Sequence, residues 1–153
     1  MGNDNVIPIR PLKVVGEAGG LIDETHVTLA VLGDDLDPDE ISTLLRCKPT
    51  SAHRRGDPTP RSGRSYAKGA WLVSMKGKAP IEPEQLLTAL LAMLPSDPAV
   101  WDGLRQRFTV QLLFGLFLGA WNRGFDLSPA VLERVLKIGT PLGFDIYVGG
   151  ETD

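Results

Sequence analysis

The chain has 153 residues, a net charge of -3, and 42% hydrophobic against 23% charged residues. These values fit one ordinary globular domain, exclude a disordered chain, and argue against a nucleic-acid binder with a basic body. A single cysteine, Cys47, excludes an internal disulfide framework and a Cys-rich zinc site. The longest apolar run, Leu112 to Trp121, is about half of the roughly 20 residues that span a bilayer, so no membrane association is expected.

The first 22 residues carry two prolines and several glycines without a sustained period. They read as a flexible tail with one short strand near Lys13–Val15, ahead of a domain over 23–150. No apolar signal-peptide core is present, which predicts a cytoplasmic protein. Thr25 to Leu32 alternates, with Val27, Leu29 and Val31 on a dry face, and predicts a strand. Asp37-Pro38-Asp39-Glu40 then predicts a helix start. Asp37 caps the free N–H groups, Pro38 takes the first helical position, and Glu40 completes a capping box. Ile41, Leu44 and Leu45 form its buried stripe, and Pro49 stops it.

A polar, Arg-rich loop follows from about Thr50 to Lys68. Ala70–Met75 predicts a second strand, Glu82–Leu94 an apolar helix ended by Pro95, and Asp97-Pro98 the start of a third helix carrying Val100, Trp101 and Leu104. Phe108–Leu118 is the longest strand, apolar enough for the interior of a sheet. Ser128-Pro129 starts a helix with Leu132, Val135 and Leu136 inward, and Gly139 lies just past its end. Leu142–Val148 closes the series, with Leu142, Phe144, Ile146 and Val148 on one face.

Asp35-Leu36-Asp37-Pro38 matches Asp126-Leu127-Ser128-Pro129 at an offset of 91. The same offset aligns Ile41 with Leu132, Leu44 with Val135 and Leu45 with Leu136. The chain thus reads as two strand–helix–strand halves joined by the helices between them, which predicts a ferredoxin-like α+β two-layer sandwich with one open sheet face. The first half is longer by its Arg-rich loop. The second adds residues around Trp121-Asn122-Arg123-Gly124-Phe125. Loops longer than the fold requires are where function tends to sit.

The strand running into Gly33-Asp34-Asp35-Leu36-Asp37-Pro38 is followed by Pro49-Thr50, His53-Arg54-Arg55-Gly56 and Trp71. Next come the Pro98–Trp101 turn and Asn122-Arg123-Gly124-Phe125, leading into Leu127-Ser128-Pro129. In this order, over residues 25–149, the chain resembles a bacterial family catalogued as domain of unknown function 4279. The resemblance implies a small α+β domain and brings no activity, substrate, cofactor or functional residue with it.

Residues 46–68 hold Arg46, Lys48, Arg54, Arg55, Arg61, Arg64 and Lys68 against Asp57 alone, a local charge of +6, while the other 130 residues carry 9 basic and 18 acidic groups. Clustered guanidinium groups bind carboxylate or phosphate through paired hydrogen bonds, although such arginines can also pair with the protein's own acidic surface, for which Asp34 and Asp35 are candidates. Roughly three phosphate contacts would lose about 40-fold in affinity between about 50 and 200 mM salt, which argues against nucleic acid as the partner. The run Asp34, Asp35, Asp37, Asp39, Glu40 lacks the Gly and Glu of a calcium loop and is better explained by helix capping. Gly124 is expected in a backbone conformation that other residues avoid. Cys47 reads as a core thiol.

These features predict a non-catalytic binding module for a protein partner or a small anionic ligand, without a cofactor or metal. Its surface would join the basic loop to the 122–125 turn, with His53, Arg54, Arg55, Trp121, Asn122 and Arg123 as contacts. Two alternatives stand beside it. One is a small enzyme on the open sheet face, with His26 as base assisted by Asp145 or Tyr147. The other is an immunity-like protein that blocks a toxin.

Overall fold

A computed structural model describes residues 19–149. The alternating segments become β1 (Glu24–Gly33), β3 (Gly69–Lys78), β4 (Thr109–Leu118) and β5 (Leu142–Val148), and a short β2 (Ser51–His53) forms inside the Arg-rich loop. The helices are α1 (Pro38–Leu45), α2 (Pro83–Ala92), α3 (Pro98–Arg107) and α4 (Pro129–Ile138). Most of the expected loose tail, and all of its strand near Lys13–Val15, fall outside the described residues. Within them, Gly20 is hydrogen-bonded to Asn122 and Gly124, and Ile22 is buried.

All four helices begin with proline, and their N-terminal caps follow from local chemistry. Asp37, Asp97 and Ser128 each accept a backbone N–H with the side chain. The return arm of a capping box is at α2, where Gln85 accepts the Glu82 N–H at 2.7 Å. At α1 the expected capping box gives way to an ion pair, because Glu40 reaches across to Arg107 at the end of α3.

The strands form one sheet in the order β2-β3-β1-β4-β5. The pairs β2/β3, β3/β1 and β1/β4 are antiparallel, and β4/β5 is parallel. The α+β class is as expected, but the ferredoxin-like strand order is not what the sheet displays. That plan separates the two strands of each half by a strand of the other, whereas here both halves keep their strands adjacent. The halves also differ in direction. Few residues follow α4, and the chain enters β5 parallel to β4. After α1 the long loop carries the chain back to the end where β1 finished, so Gly69 lies opposite Gly33 and β3 runs antiparallel. The approach is close there: a Cβ at Gly69 would meet Gly33 O, Leu36 Cβ and Leu36 O at 3.0–3.1 Å, tighter than ordinary van der Waals contact.

One face of the sheet carries the core. Val27, Leu29 and Val31 of β1, Trp71 and Val73 of β3, and Leu112, Phe114 and Leu116 of β4 pack in one cluster with Ile41 and Leu45 of α1, Leu87 and Leu90 of α2, Trp101 and Leu104 of α3, and Val131, Val135 and Ile138 of α4. The two buried indole N–H groups find acceptors, Trp71 at Ser42 Oγ (3.0 Å) and Trp101 at the Pro95 carbonyl (2.8 Å). Leu132 and Leu136, expected inside, are exposed, because α4 turns its Val131–Val135–Ile138 face to the sheet. Leu44 is likewise exposed.

Candidate functional site

The cationic segment is an ordered hairpin. It begins where α1 ends, with Arg46 in a left-handed conformation (φ 49°) and its N–H bonded to the Ser42 carbonyl. Thr50 ties it to β3, its N–H donating to the Leu72 carbonyl at 2.7 Å and its Oγ1 accepting the Ser74 N–H at 2.9 Å. After β2 the chain folds back on itself. Gly56 N–H donates to the Tyr66 carbonyl, Tyr66 N–H to the Asp57 carbonyl, and Thr59 N–H to the Arg64 carbonyl, all at 2.8–2.9 Å. Asp57 closes the turn by accepting the Arg54 N–H at 2.8 Å. Gly56 and Gly63 supply positive φ at the bends. The His53 ring lies flat on Tyr66, with centroids 3.4 Å apart.

Arg54 clamps this hairpin to the start of α1. Its guanidinium donates to Asp37 at 2.6 Å and to Asp39 at 3.2 Å. The hydrogen bond to Asp39 and the Asp37 charge push the Arg54 pKa further up, so the clamp carries its charge at every physiological pH. An acidic partner within the chain was expected at Asp34 or Asp35. The cap residue Asp37 and, in the first turn, Asp39 take that role, because the helix start holds their carboxylates over the hairpin. Arg46, Lys48, Arg55, Arg61, Arg64 and Lys68 are all exposed, and none is in an ion pair with a described residue. Cys47 is buried beside them. Burial pushes its thiol pKa up, which keeps it protonated and poorly nucleophilic.

The second expected part of the surface lies elsewhere. The hairpin sits at the end of the sheet where β1 finishes and β3 and β4 begin, whereas the 122–125 turn sits past the far end of β4. A ten-residue strand separates the two by about 30 Å. Arg123 there donates to Asp23 at 3.1 Å, and the Gly119 N–H donates to the same carboxylate at 2.6 Å. That Gly119 bond first, and Arg123 second, hold the Asp23 pKa below the ordinary carboxylate range. Gly124 is not among the glycines with positive φ. Its N–H instead bonds the Gly20 carbonyl, which locks the turn onto the start of the described chain. Asn122 contributes its carbonyl to the same lock, and Trp121 stands 88% exposed beside it. His53, Arg54 and Arg55 are thus brought together, and Trp121, Asn122 and Arg123 form a separate, structurally braced turn.

On the open sheet face, His26 is present as expected, but its partner is Glu24, at 2.8 Å. That bond lowers the Glu24 pKa. Asp145 lies in the same cross-strand row with Gly115 of β4 between, two strand spacings or about 10 Å from His26. Tyr147 stacks on Phe117 one row away. The residues share a face without forming an acid–base pair.

Arg61, Arg64 and Tyr66 belong to the hairpin and were not among the expected contacts. The run Asp57-Pro58-Thr59-Pro60-Arg61-Ser62-Gly63 carries the turn residues that signal a hairpin, and that signal would have found them. Among the described residues no helix is long and apolar enough to cross a membrane.

The model of one protein family, described as a domain of unknown function (DUF4279), matches residues 23–149. No curated protein and no solved structure matches the chain. The family match runs from Asp23, which braces the 119–123 turn, through the cationic hairpin to the residue after β5, and the chain belongs to the DUF4279 family.

Proposed function

We propose that this protein is a non-catalytic binding module whose hairpin at residues 50–68 docks the acidic surface of a protein partner. The observation that carries the reading is the division of labour within the cluster: Arg54 is used inside the chain, while Arg55, Arg61 and Arg64 stand exposed on a backbone that hydrogen bonds already hold in place. Preorganised cations bind with less loss of conformational entropy than cations on a loose loop. The three arginines stand exposed on the hairpin, which favours a macromolecular carboxylate surface over a small anion, because small ligands are held largely buried in concave sites.

The test is retention on immobilised poly-glutamate at neutral pH. A protein of net charge -3 is repelled by such a matrix unless its charge is segregated. Retention at about 50 mM salt, elution as the salt rises, and loss of retention in an Arg55→Ala, Arg61→Ala, Arg64→Ala triple variant are expected, since exposed charges are screened over about 10 Å at 0.1 M. Flow-through of the unaltered protein sinks the proposal. Equal displacement by millimolar inorganic phosphate would favour a small anion instead.

A further inference from the structure

The two edges of the sheet are built differently. On one side β2 is three residues long, polar, and continues into the cationic hairpin, so this edge is short and charged. On the other side β5 is seven residues long, without lysine, arginine or proline, and its only charge is Asp145. Soluble proteins ordinarily blunt an edge of that kind, because its free N–H and C=O groups invite another strand.

The side chains along this edge are apolar, and among the described residues nothing covers them. Phe144, Ile146 and Val148 lie on the helix side of the sheet, opposite Phe114, Leu116 and Leu118, yet are 46%, 62% and 63% exposed. The band continues onto α4. There Arg134 and Lys137 line a cleft with Leu91, Leu94 and Pro95, so that flank of the helix faces α2 and the α2–α3 connection. At 100° per residue, Leu132 and Leu136 fall on the opposite flank, toward the free side of β5, and they are 42% and 78% exposed. With Tyr147, these residues expose on the order of 600 Å² per protomer, or roughly 1,200 Å² for a pair, the lower end of the range for specific interfaces.

We infer that β5 pairs antiparallel with β5 of a second copy of this chain, making one continuous sheet across a two-fold axis. The strand can pair with its own copy in a register that keeps like charges apart. The Gly149 N–H bonds the Leu118 carbonyl, so the backbone groups of Phe144, Ile146 and Val148, of the other parity, point out to the free edge. An axis through Asp145 would set two carboxylates directly opposite each other, which is destabilising. An axis through Ile146 sets Ile146 against its own copy in a hydrogen-bonded pair, Phe144 against Val148, and Asp145 against the Tyr147 of the other copy. In that arrangement the two α4 helices meet through Leu132 and Leu136.

The test is the mass of the full chain in solution by light scattering and sedimentation, from about 1 to 100 µM. The expected result is a species of twice 16.6 kDa that dissociates on dilution. Ile146→Lys, at an exposed position, should give a monomer with an unchanged circular dichroism spectrum, and Leu136→Glu on the helix provides a second variant independent of strand propensity. Under mild oxidation Ile146→Cys should cross-link to itself, since directly opposed residues of a hydrogen-bonded pair lie about 5.5 Å apart, within disulfide range. Asp145→Cys should cross-link more slowly. A monomer of the unaltered chain at every concentration overturns the inference. So does a dimer that survives both charged substitutions, or faster cross-linking at position 145 than at 146.

Discussion

Val135 and Leu136 are neighbours in α4, and the structure assigns them opposite fates: Val135 is 6% exposed in the core and Leu136 is 78% exposed. Truncation separates them. Val135→Ala deletes two buried carbons, worth about 1.6 kcal/mol in transfer free energy, and the cavity left behind brings the loss to about 2 kcal/mol. For a chain of this length that corresponds to a fall of about 4–8 °C in melting temperature. Leu136→Ala removes more carbon but from a solvated position, and alanine is the better helix former, so its effect should stay within about 0.5 kcal/mol. The assay is urea unfolding at about 1 µM, where self-association contributes least, with the midpoint read at constant slope. An unchanged slope shows that the variants unfold over the same surface. If Leu136→Ala costs more than Val135→Ala under these conditions, α4 is rotated by about one residue from the orientation described here, and the apolar band along β5 loses its helical half.

Thr25 is wholly buried, and its hydroxyl has no partner among the described residues. Thr25→Val keeps the shape and removes the unsatisfied group, so it should stabilise by about 1 kcal/mol; a loss of that size by thermal melting would mean that the hydroxyl is in fact bonded. Asp23, Glu24 and Glu40 have pKa values held below their ordinary values of 3.8, 4.5 and 4.5, chiefly by the Gly119 N–H, His26 and Arg107 respectively. Because the depressed values belong to the folded state, the stabilisation is complete above the ordinary values and is lost as pH falls through the lowered ones. Melting temperature should therefore fall between about pH 5 and pH 3, and less steeply in Asp23→Asn and Glu40→Gln; parallel curves for variants and parent would contradict this. Replacing Arg55, Arg61 and Arg64 together by alanine should leave the urea midpoint within about 0.5 kcal/mol of the parent, since exposed charges without an ion-pair partner contribute little to folding.

What was legible in the sequence was what local chemistry decides. Asp37, Asp97 and Ser128, each ahead of proline, mark helix starts whatever surrounds them, and Gly139 ends α4 at φ 69°. Strand direction was not legible. Both halves read as strand–helix–strand, and only the length of the loop after α1 distinguishes an antiparallel return from a parallel crossover. That one ambiguity also misplaced the site, because a parallel β1–β3 pair would have carried the hairpin toward the 122–125 turn. The face of α4 was ambiguous for another reason: Val131, Leu132, Val135, Leu136 and Ile138 are all apolar, so the helix has two faces that could enter a core. β2 is too short for alternation to reveal. The charge of the hairpin could be counted from residues alone, but the arginine that is engaged internally could not be identified, since the Asp37–Arg54 contact spans 17 positions of chain.

The two surfaces, one at each edge of the sheet, are related by the fold in a way that can be measured. In a dimer joined through β5 the sheet would run through ten strands, with β2 and its hairpin at both outer ends. Nine strand spacings separate the two hairpins by about 40 Å across the strands, and because the axis at Ile146 lies level with Thr25, eight residues from Gly33, the two-fold also sets them at opposite ends of the sheet, roughly 50 Å apart along the strands. Two cationic patches at that separation cannot share one short acidic segment, but they can engage a surface or polymer that presents repeated carboxylates. For such a target the second contact is intramolecular and strengthens binding without any new interaction. Ile146→Lys, which keeps both the hairpin and its arginines, should then elute from long poly-glutamate at lower salt than the parent, while binding a hexaglutamate peptide with the same affinity per chain. The triple arginine variant should lose both. Equal elution of parent and Ile146→Lys from the long polymer would separate the two surfaces and leave the β5 edge with no role in docking.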